Sequence, residues 1–195
     1  LRIAVAATLG GFPVAADVRE AVENLAKQLA SLGAVVEEAV LPPVDLESDL
    51  ENLGDLIGMA TGAFQQDKKQ APPTLAQYLA ALHARDRSIV AWEQFFDKYD
   101  VLLCPPAMTT AFPHCEPGSP LAVDGKSASY WTISAHSAPF NYSGHPALVL
   151  PYDVDSEGLP IGVQLVAKRW SDDRLLAIAH ALSQVTGEFQ RPPIA

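Results

Sequence analysis

The chain has 195 residues, of which 49% are apolar and 18% charged, and 23 acids against 13 bases leave a formal net charge of −10. That length carries one large domain with a real core, and the acidic balance argues against a nucleic-acid or anionic-membrane partner, since like charges repel. No apolar run approaches the roughly 18 residues of a membrane span, and a charged share below the usual quarter of a soluble domain leaves surface for another protein segment.

"LRIAVAA" (1–7) reads as a buried strand. A chain that opens mid-element, with neither an initiator Met nor a signal peptide, is expected to be part of a longer protein. In the next stretch Val18, Ala21, Val22, Leu25, Leu29 and Leu32 recur at three- and four-residue intervals, Asp17 or a neighbour is available as a cap, and Gly33 is a stop, which predicts an amphipathic helix. "AVVEEAVLP" (34–42) supplies a second strand. Strand, helix and strand in this order normally make a parallel pair with a right-handed crossover.

Residues 46 to 66 predict a second helix with Leu50, Leu53, Ile57, Ala60 and Phe64 on one face. Gly54, Gly58 and Gly62 form a stripe that each time costs about 1 kcal/mol relative to Ala, so a tight helix crossing is expected there. Pro72 and Pro73 then break the chain, Thr74 with Gln77 signs a capping box, and Leu75, Leu82, Ile89 and Phe96, beside Tyr78, Leu79 and Trp92, predict a long third helix. "VLLC" (101–104) is a short strand closed by Pro105 and Pro106. From 105 to 145 the chain is rich in Pro, Gly, Ser and His with patchy helical signal around 128 to 138, a length of irregular chain that is usually functional or interfacial. "PALVLPYD" and "IGVQLVA" are two further strands across a "DSEGLP" turn, and the helix "DDRLLAIAHALSQVT" is capped by Ser171 or Asp172 and ended by Gly187. One α/β domain spanning 1–195 is expected.

The chemistry-bearing residues are few. Ser143 and His145 put a hydroxyl beside an imidazole, but without a Gly-x-Ser-x-Gly elbow the favoured reading is that both bond local backbone. His114, Cys115 and Glu116 are adjacent, which is not metal-ligand spacing, and no metal or other cofactor is expected. "TLGGFP" lacks both Rossmann spacing and a Walker lysine. His83 and His180 fall within helices. Cys104 and Cys115 are expected to be free thiols, which makes the cytoplasm the default compartment. Met108, Trp131, Phe140 and Tyr142 are candidates either for an apolar pocket lining or for ordinary core. Asn141, an amide between aromatics, is a candidate for pinning a pocket wall.

"YDVLLCPPA" (99–107), "FNYSGHPALVLP" (140–151) and "LPIGVQLVAKRWSDDRLLAIAHAL" (159–182), in that order, resemble the C-terminal half of the amidase signature family, and "LRIAVA" with "VVEEAVLP" resembles the strand–helix–strand after its catalytic segment. Ala167 departs from a glycine common after the Gln-Leu-Val strand, and "YSGHP" from a Thr-Gly with a smaller residue before Pro. The resemblance implies a three-layer α/β/α fold with a mixed central sheet, and hydrolysis or transfer of acyl groups at amides by a serine activated through a second serine and a lysine, with a Gly- and Ser-rich loop as oxyanion hole. No Gly-Gly-Ser-Ser-Gly-Gly segment is present, and Lys27, Lys68, Lys69, Lys98, Lys126 and Lys168 match no lysine motif of the family. It therefore implies that this chain holds no catalytic residue and supplies scaffold and substrate-pocket walls through Met108, Trp131, Phe140, Asn141, Tyr142 and Ser143. Its implied partners are a small-molecule amide and an N-terminal catalytic portion of the same protein, and a homo-oligomer is compatible with the sequence. A non-catalytic binding domain that keeps the fold is the alternative.

Overall fold

A computed structural model describes residues 1–62 and 71–187. Five strands form a mixed sheet in the order β2-β1-β3-β7-β6, where β1 is Arg2–Val5, β2 Val35–Glu38, β3 Val101–Cys104, β6 Ala147–Val154 and β7 Pro160–Val166. β1 runs parallel to β2 and β3, while β7 is antiparallel to both β3 and β6. The first pair is joined by α1 (Ala16–Ser31), as strand–helix–strand periodicity predicts.

Alternation along the strands builds the layers. Ile3, Val5, Val101 and Leu103 face one side, where Val22, Leu25 and Leu29 of α1 and Leu175, Ala179 and Leu182 of α5 (Asp172–Thr186) cover them. Ala4, Leu102 and Cys104 face the other, against Leu46 of α2 (Leu46–Thr61), Trp92, Phe95 and Phe96 of α3 (Leu75–Phe96) and Phe140 of α4 (Ala138–Ser143). The result is the expected α/β/α sandwich: central strands buried on both faces read as continuous apolar runs. Trp92 is fully buried and meets Phe95 and Phe140 edge to face at 5.5 and 5.2 Å, fixing α4 onto α3.

Several local expectations change. α1 has no side-chain cap of its own; the carboxylate of Asp124 accepts from Ala16 N–H at 3.1 Å, across 108 positions of sequence. Asp124 and Gly125, at φ 51° and 72°, form the turn of a hairpin between β4 (Leu121–Val123) and β5 (Lys126–Ala128), so the irregular stretch contains a built element aimed at the α1 N-terminus. Leu32 is 65% exposed beyond the end of α1. The buried residues of α2 are Leu46 and Asp49, the latter accepting from the Ser88 hydroxyl of α3 at 2.6 Å, whereas Ile57 and Ala60 are exposed. Gly54 meets nothing within 4 Å among the described residues, so no tight crossing occurs at that position; Phe64, Lys68 and Lys69 lie outside the described residues. α3 begins with the expected capping box of Thr74 and Gln77, but Leu75, Tyr78 and Leu79 are exposed, since its first turns stand clear of the sheet. The α5 N-cap is Ser171, whose hydroxyl turns back to the Lys168 carbonyl instead of capping.

Candidate functional site

In open sheets of parallel strands, ligands bind beyond the carboxyl ends, where the loops diverge. β1, β2 and β3 all point their carboxyl ends the same way. The loops that follow β1 and β2, together with the segment after β5, line a half-open cavity of about 500 Å³. Gly10, Gly11 and Phe12 wall it from the β1 loop, Val44, Asp45 and Glu47 from the start of α2, and Thr132 from a single 3₁₀ turn, Tyr130–Thr132. Gly10 sits at φ 60°, and a Cβ there would lie 3.2 Å from Leu46 Cδ1, so the residue serves both the turn and the close approach of α2. Asp45 accepts from the Ser48 N–H and hydroxyl as N-cap of α2, which holds its carboxyl below the usual carboxylate range. The lining is therefore apolar with two carboxylates on one wall.

The six residues singled out from the sequence divide into two groups. Met108 is fully buried against Leu121 and Val123, its sulfur 3.8 Å from Thr132 Oγ1, and Trp131 is 67% exposed and precedes Thr132 in sequence; both adjoin Thr132, but none of the six residues is among those that line the cavity. Phe140, Tyr142 and Ser143 are buried on α4, where Phe140 meets Trp92 and Tyr142 meets Ala81 of α3, while the Ser143 hydroxyl stays with Pro139 and His145. Tyr142 donates to the Ala81 carbonyl at 3.4 Å, and burial pushes its phenol up to about 12. Asn141 is the exposed residue of this helix turn, with no side-chain hydrogen bond among the described residues.

Ser143 Oγ lies 2.7 Å from the Pro139 carbonyl and 2.8 Å from His145 Nδ1, with 1% of the residue exposed. His145 Nε2 lies 3.2 Å from Glu93 Oε1 on α3, without the alignment of a full hydrogen bond. Glu93 was not legible as a partner, being 52 residues away in sequence, and only the packing of α3 on α4 brings it in. His136 was also missed. It is fully buried near the Phe12 ring, centroids 6.2 Å apart, with both ring nitrogens unpartnered among the described residues, and burial lowers its pKa to about 4. Gln164, buried in β7, donates to the carbonyls of His136 and Pro105 and approaches the Cys104 sulfur. Cys104 is a free thiol pushed up to about 12 by burial, and Cys115 is free and exposed. No cluster of three His, Cys, Asp or Glu side chains suited to a metal occurs among the described residues.

A three-layer α/β/α sandwich with its cavity at the carboxyl ends of the parallel strands defines a class of ligand-binding and catalytic proteins, and the comparisons narrow it. The family model described as Amidase matches residues 57–176, and the chain belongs to that family. Among curated relatives, a glutamyl-tRNA(Gln) amidotransferase subunit from a Picosynechococcus species is 38% identical over 119 residues, 60% of this chain and 23% of the relative. A fatty acid amide hydrolase of Medicago truncatula is 31% identical over 121 residues, 62% of this chain and 20% of the relative. A bacterial aryl acylamidase of the amidase signature family shares the fold at a TM-score of 0.75 and 21% identity, covering 95% of this chain and 43% of that one. The glutamyl-tRNA(Gln) amidotransferase subunit from Thermotoga maritima does so at 0.74 and 22%, covering 97% and 43%. The alignments thus span under a quarter of these two curated relatives and under half of these two solved chains.

Proposed function

We propose that this chain is the C-terminal portion of an enzyme that hydrolyses the C–N bond of a carboxylic amide, contributing sheet scaffold and substrate-pocket walls and inactive alone. One observation carries the reading: the cavity at the strand ends is lined by Phe12, Val44, Asp45, Glu47 and Thr132, with no serine and no lysine or histidine base lining it among the described residues, while the Ser143–His145 pair is buried and not among the lining residues. A nucleophile, its base and the oxyanion donors must converge within about 3 Å of one reacting atom. In this reading they come from the N-terminal catalytic portion.

Met108 and Trp131 support the wall assignment by flanking Thr132, and the wall of this portion extends through α4, with Phe140, Tyr142 and Ser143 as its anchors and Asn141 as its outward polar contact. β6 is suited to receive the other portion. It pairs only with β7 among the described residues, and Val149 and Val154 on it are 51% and 58% exposed, an apolar edge of the kind that native proteins cover. The substrate is a small-molecule amide, and the compartment is the cytoplasm. No described helix is long and apolar enough to cross a membrane.

The test is reconstitution. The chain is mixed or fused with an N-terminal portion carrying a Gly/Ser-rich loop and lysine motif, and hydrolysis of small aliphatic and aryl amides is followed. Turnover by the joined portions, with none by either alone, is expected; a chain that neither binds the other portion nor changes its turnover would count against the reading.

A further inference from the structure

Ser143, His145 and Glu93 lie in one line of contacts, hydroxyl to imidazole to carboxylate, and the line joins three elements. Ser143 ends α4, His145 begins the turn into β6, and Glu93 belongs to α3. The imidazole is 4% exposed and packs near the Phe96 and Trp92 rings, at 5.2 and 6.4 Å between centroids. Glu93 Oε1, the oxygen that faces His145, also accepts from the Arg169 N–H at 3.2 Å, and Lys168 Nζ lies 3.9 Å from Oε2. The Arg169 guanidinium also passes close to Gly144, its Nε 3.7 Å from where a Cβ would stand. Glu93, Arg169 and Lys168 are thus the charged groups gathered around His145.

Counting protons decides what this line can do. A hydroxyl has one proton, and Ser143 Oγ has two acceptors within 2.8 Å, the Pro139 carbonyl and His145 Nδ1. If the proton goes to Pro139, Nδ1–H must donate to Oγ, and a neutral ring then turns a bare Nε2 lone pair on the Glu93 carboxylate. If it goes to Nδ1, the ring keeps its proton on Nε2 and offers it to a carboxylate. The Nε2–Glu93 contact at 3.2 Å is not aligned as a full hydrogen bond, so it decides by electrostatics: an N–H there turns its positive end to the carboxylate and a bare lone pair its negative end, and the second arrangement wins. Burial disfavours the imidazolium, against the upward pull of Glu93.

We propose that His145 is a positioning residue: as a neutral ring protonated on Nε2, it latches the Ser143–Gly144–His145 turn to Glu93 of α3. Gly144 closes that turn at φ 75°, and the Gly144 and His145 N–H groups both reach the Phe140 carbonyl, at 2.8 and 3.2 Å. The latch therefore fixes α4 at its C-terminus, as Trp92 fixes it through Phe140, and leaves Asn141 as the side chain presented outward. Ser143 is 1% exposed, and that burial, not its bond to the ring, keeps a substrate carbonyl from its oxygen. What the presented wall is for rests on the amidase reading; the latch itself does not.

The test is the state of the ring, read from imidazole ¹⁵N correlations of the uniformly labelled chain at pH 7, with hydrolysis playing no part. The wild type is expected to show one neutral tautomer at His145, protonated on Nε2. Glu93→Gln, an isosteric change at a side chain 32% exposed, removes the charge that selects this tautomer, so the Nδ1–H form becomes populated and the ring protonates only at a lower pH. Ser143→Ala deletes the donor to Nδ1, and exchange of the Gly144 and His145 amide hydrogens is expected to speed by about tenfold, the equivalent of one lost hydrogen bond. A ring protonated on Nδ1, an imidazolium at pH 7, or a tautomer indifferent to Glu93→Gln would overturn the assignment, whether or not the joined protein hydrolyses amides.

Discussion

The side-chain amide of Gln164 lies 3.1 Å from the His136 carbonyl and 3.3 Å from that of Pro105, so one residue of β7 closes the end of β3 onto the segment leading into α4. Both N–H groups are spent on carbonyls in a site where 2% of the residue is exposed. Gln164→Leu keeps the volume and leaves those carbonyls without a donor, which costs about 1–3 kcal/mol for each group left buried and unsatisfied. Urea unfolding at pH 7 should show the midpoint falling by the equivalent of at least about 2 kcal/mol, two such losses at the low end.

His136 makes the fold sensitive to acid. Its pKa is about 4 in the folded chain against 6.5 for a free imidazole, so between these values the unfolded chain takes up a proton that the folded one refuses. Stability is therefore present above pH 6.5 and is lost as pH falls towards 4. The gap at about 1.4 kcal/mol per pH unit comes to about 3 kcal/mol. His136→Leu replaces an unpartnered buried ring by an apolar group and should flatten this part of the profile, leaving the share that His145 contributes. Thermal denaturation from neutral pH down to that of the folded-state titration measures both.

Asp124 gives a prediction about long-range capping. Asp124→Ala removes the acceptor of the Ala16 N–H and places a β-carbon residue without local hydrogen bonding at φ 51°. The expected loss is about 1–2 kcal/mol. Asp124→Asn keeps an acceptor and tolerates that backbone, so it should lose less, as denaturant midpoints of the two variants will show.

These residues also mark what the sequence carried and what it did not. Strands β1, β2, β3, β6 and β7 and helices α1, α2, α3 and α5 were legible because apolar runs and three-to-four spacing are local signals. The β4–β5 hairpin had a signal too, the Asp124-Gly125 pair between short apolar stretches, which a search for helical periodicity passes over. The Asp124 cap, the Glu93 partner of His145 and the enclosure of His136 depend on residues 108, 52 and 124 positions apart, and such pairings exist only once the layers are assembled. For the same reason Ile57 and Leu75 look like core in a helical projection and are exposed in the fold.

Gly162 tests the packing beneath β6. A Cβ there would stand 2.6 Å from Val149 Cγ1 and 3.5 Å from the Leu150 carbonyl. Val149 is β-branched and stiff, so Gly162→Ala is expected to cost about 1–3 kcal/mol. Because Val149 is 51% exposed, Val149→Ala should recover most of that loss in the double variant, and a thermodynamic cycle over the four proteins measures the recovery.

The central claim, that this chain carries amidase architecture without its own nucleophile, is tested most directly by amide hydrolysis with the 195-residue chain alone. A panel of small aliphatic and aryl amides is used, with Ser143→Ala as the control. No turnover above buffer by either protein is predicted. Turnover by the wild type that vanishes in Ser143→Ala would contradict the claim and make the buried Ser143–His145–Glu93 line an active site.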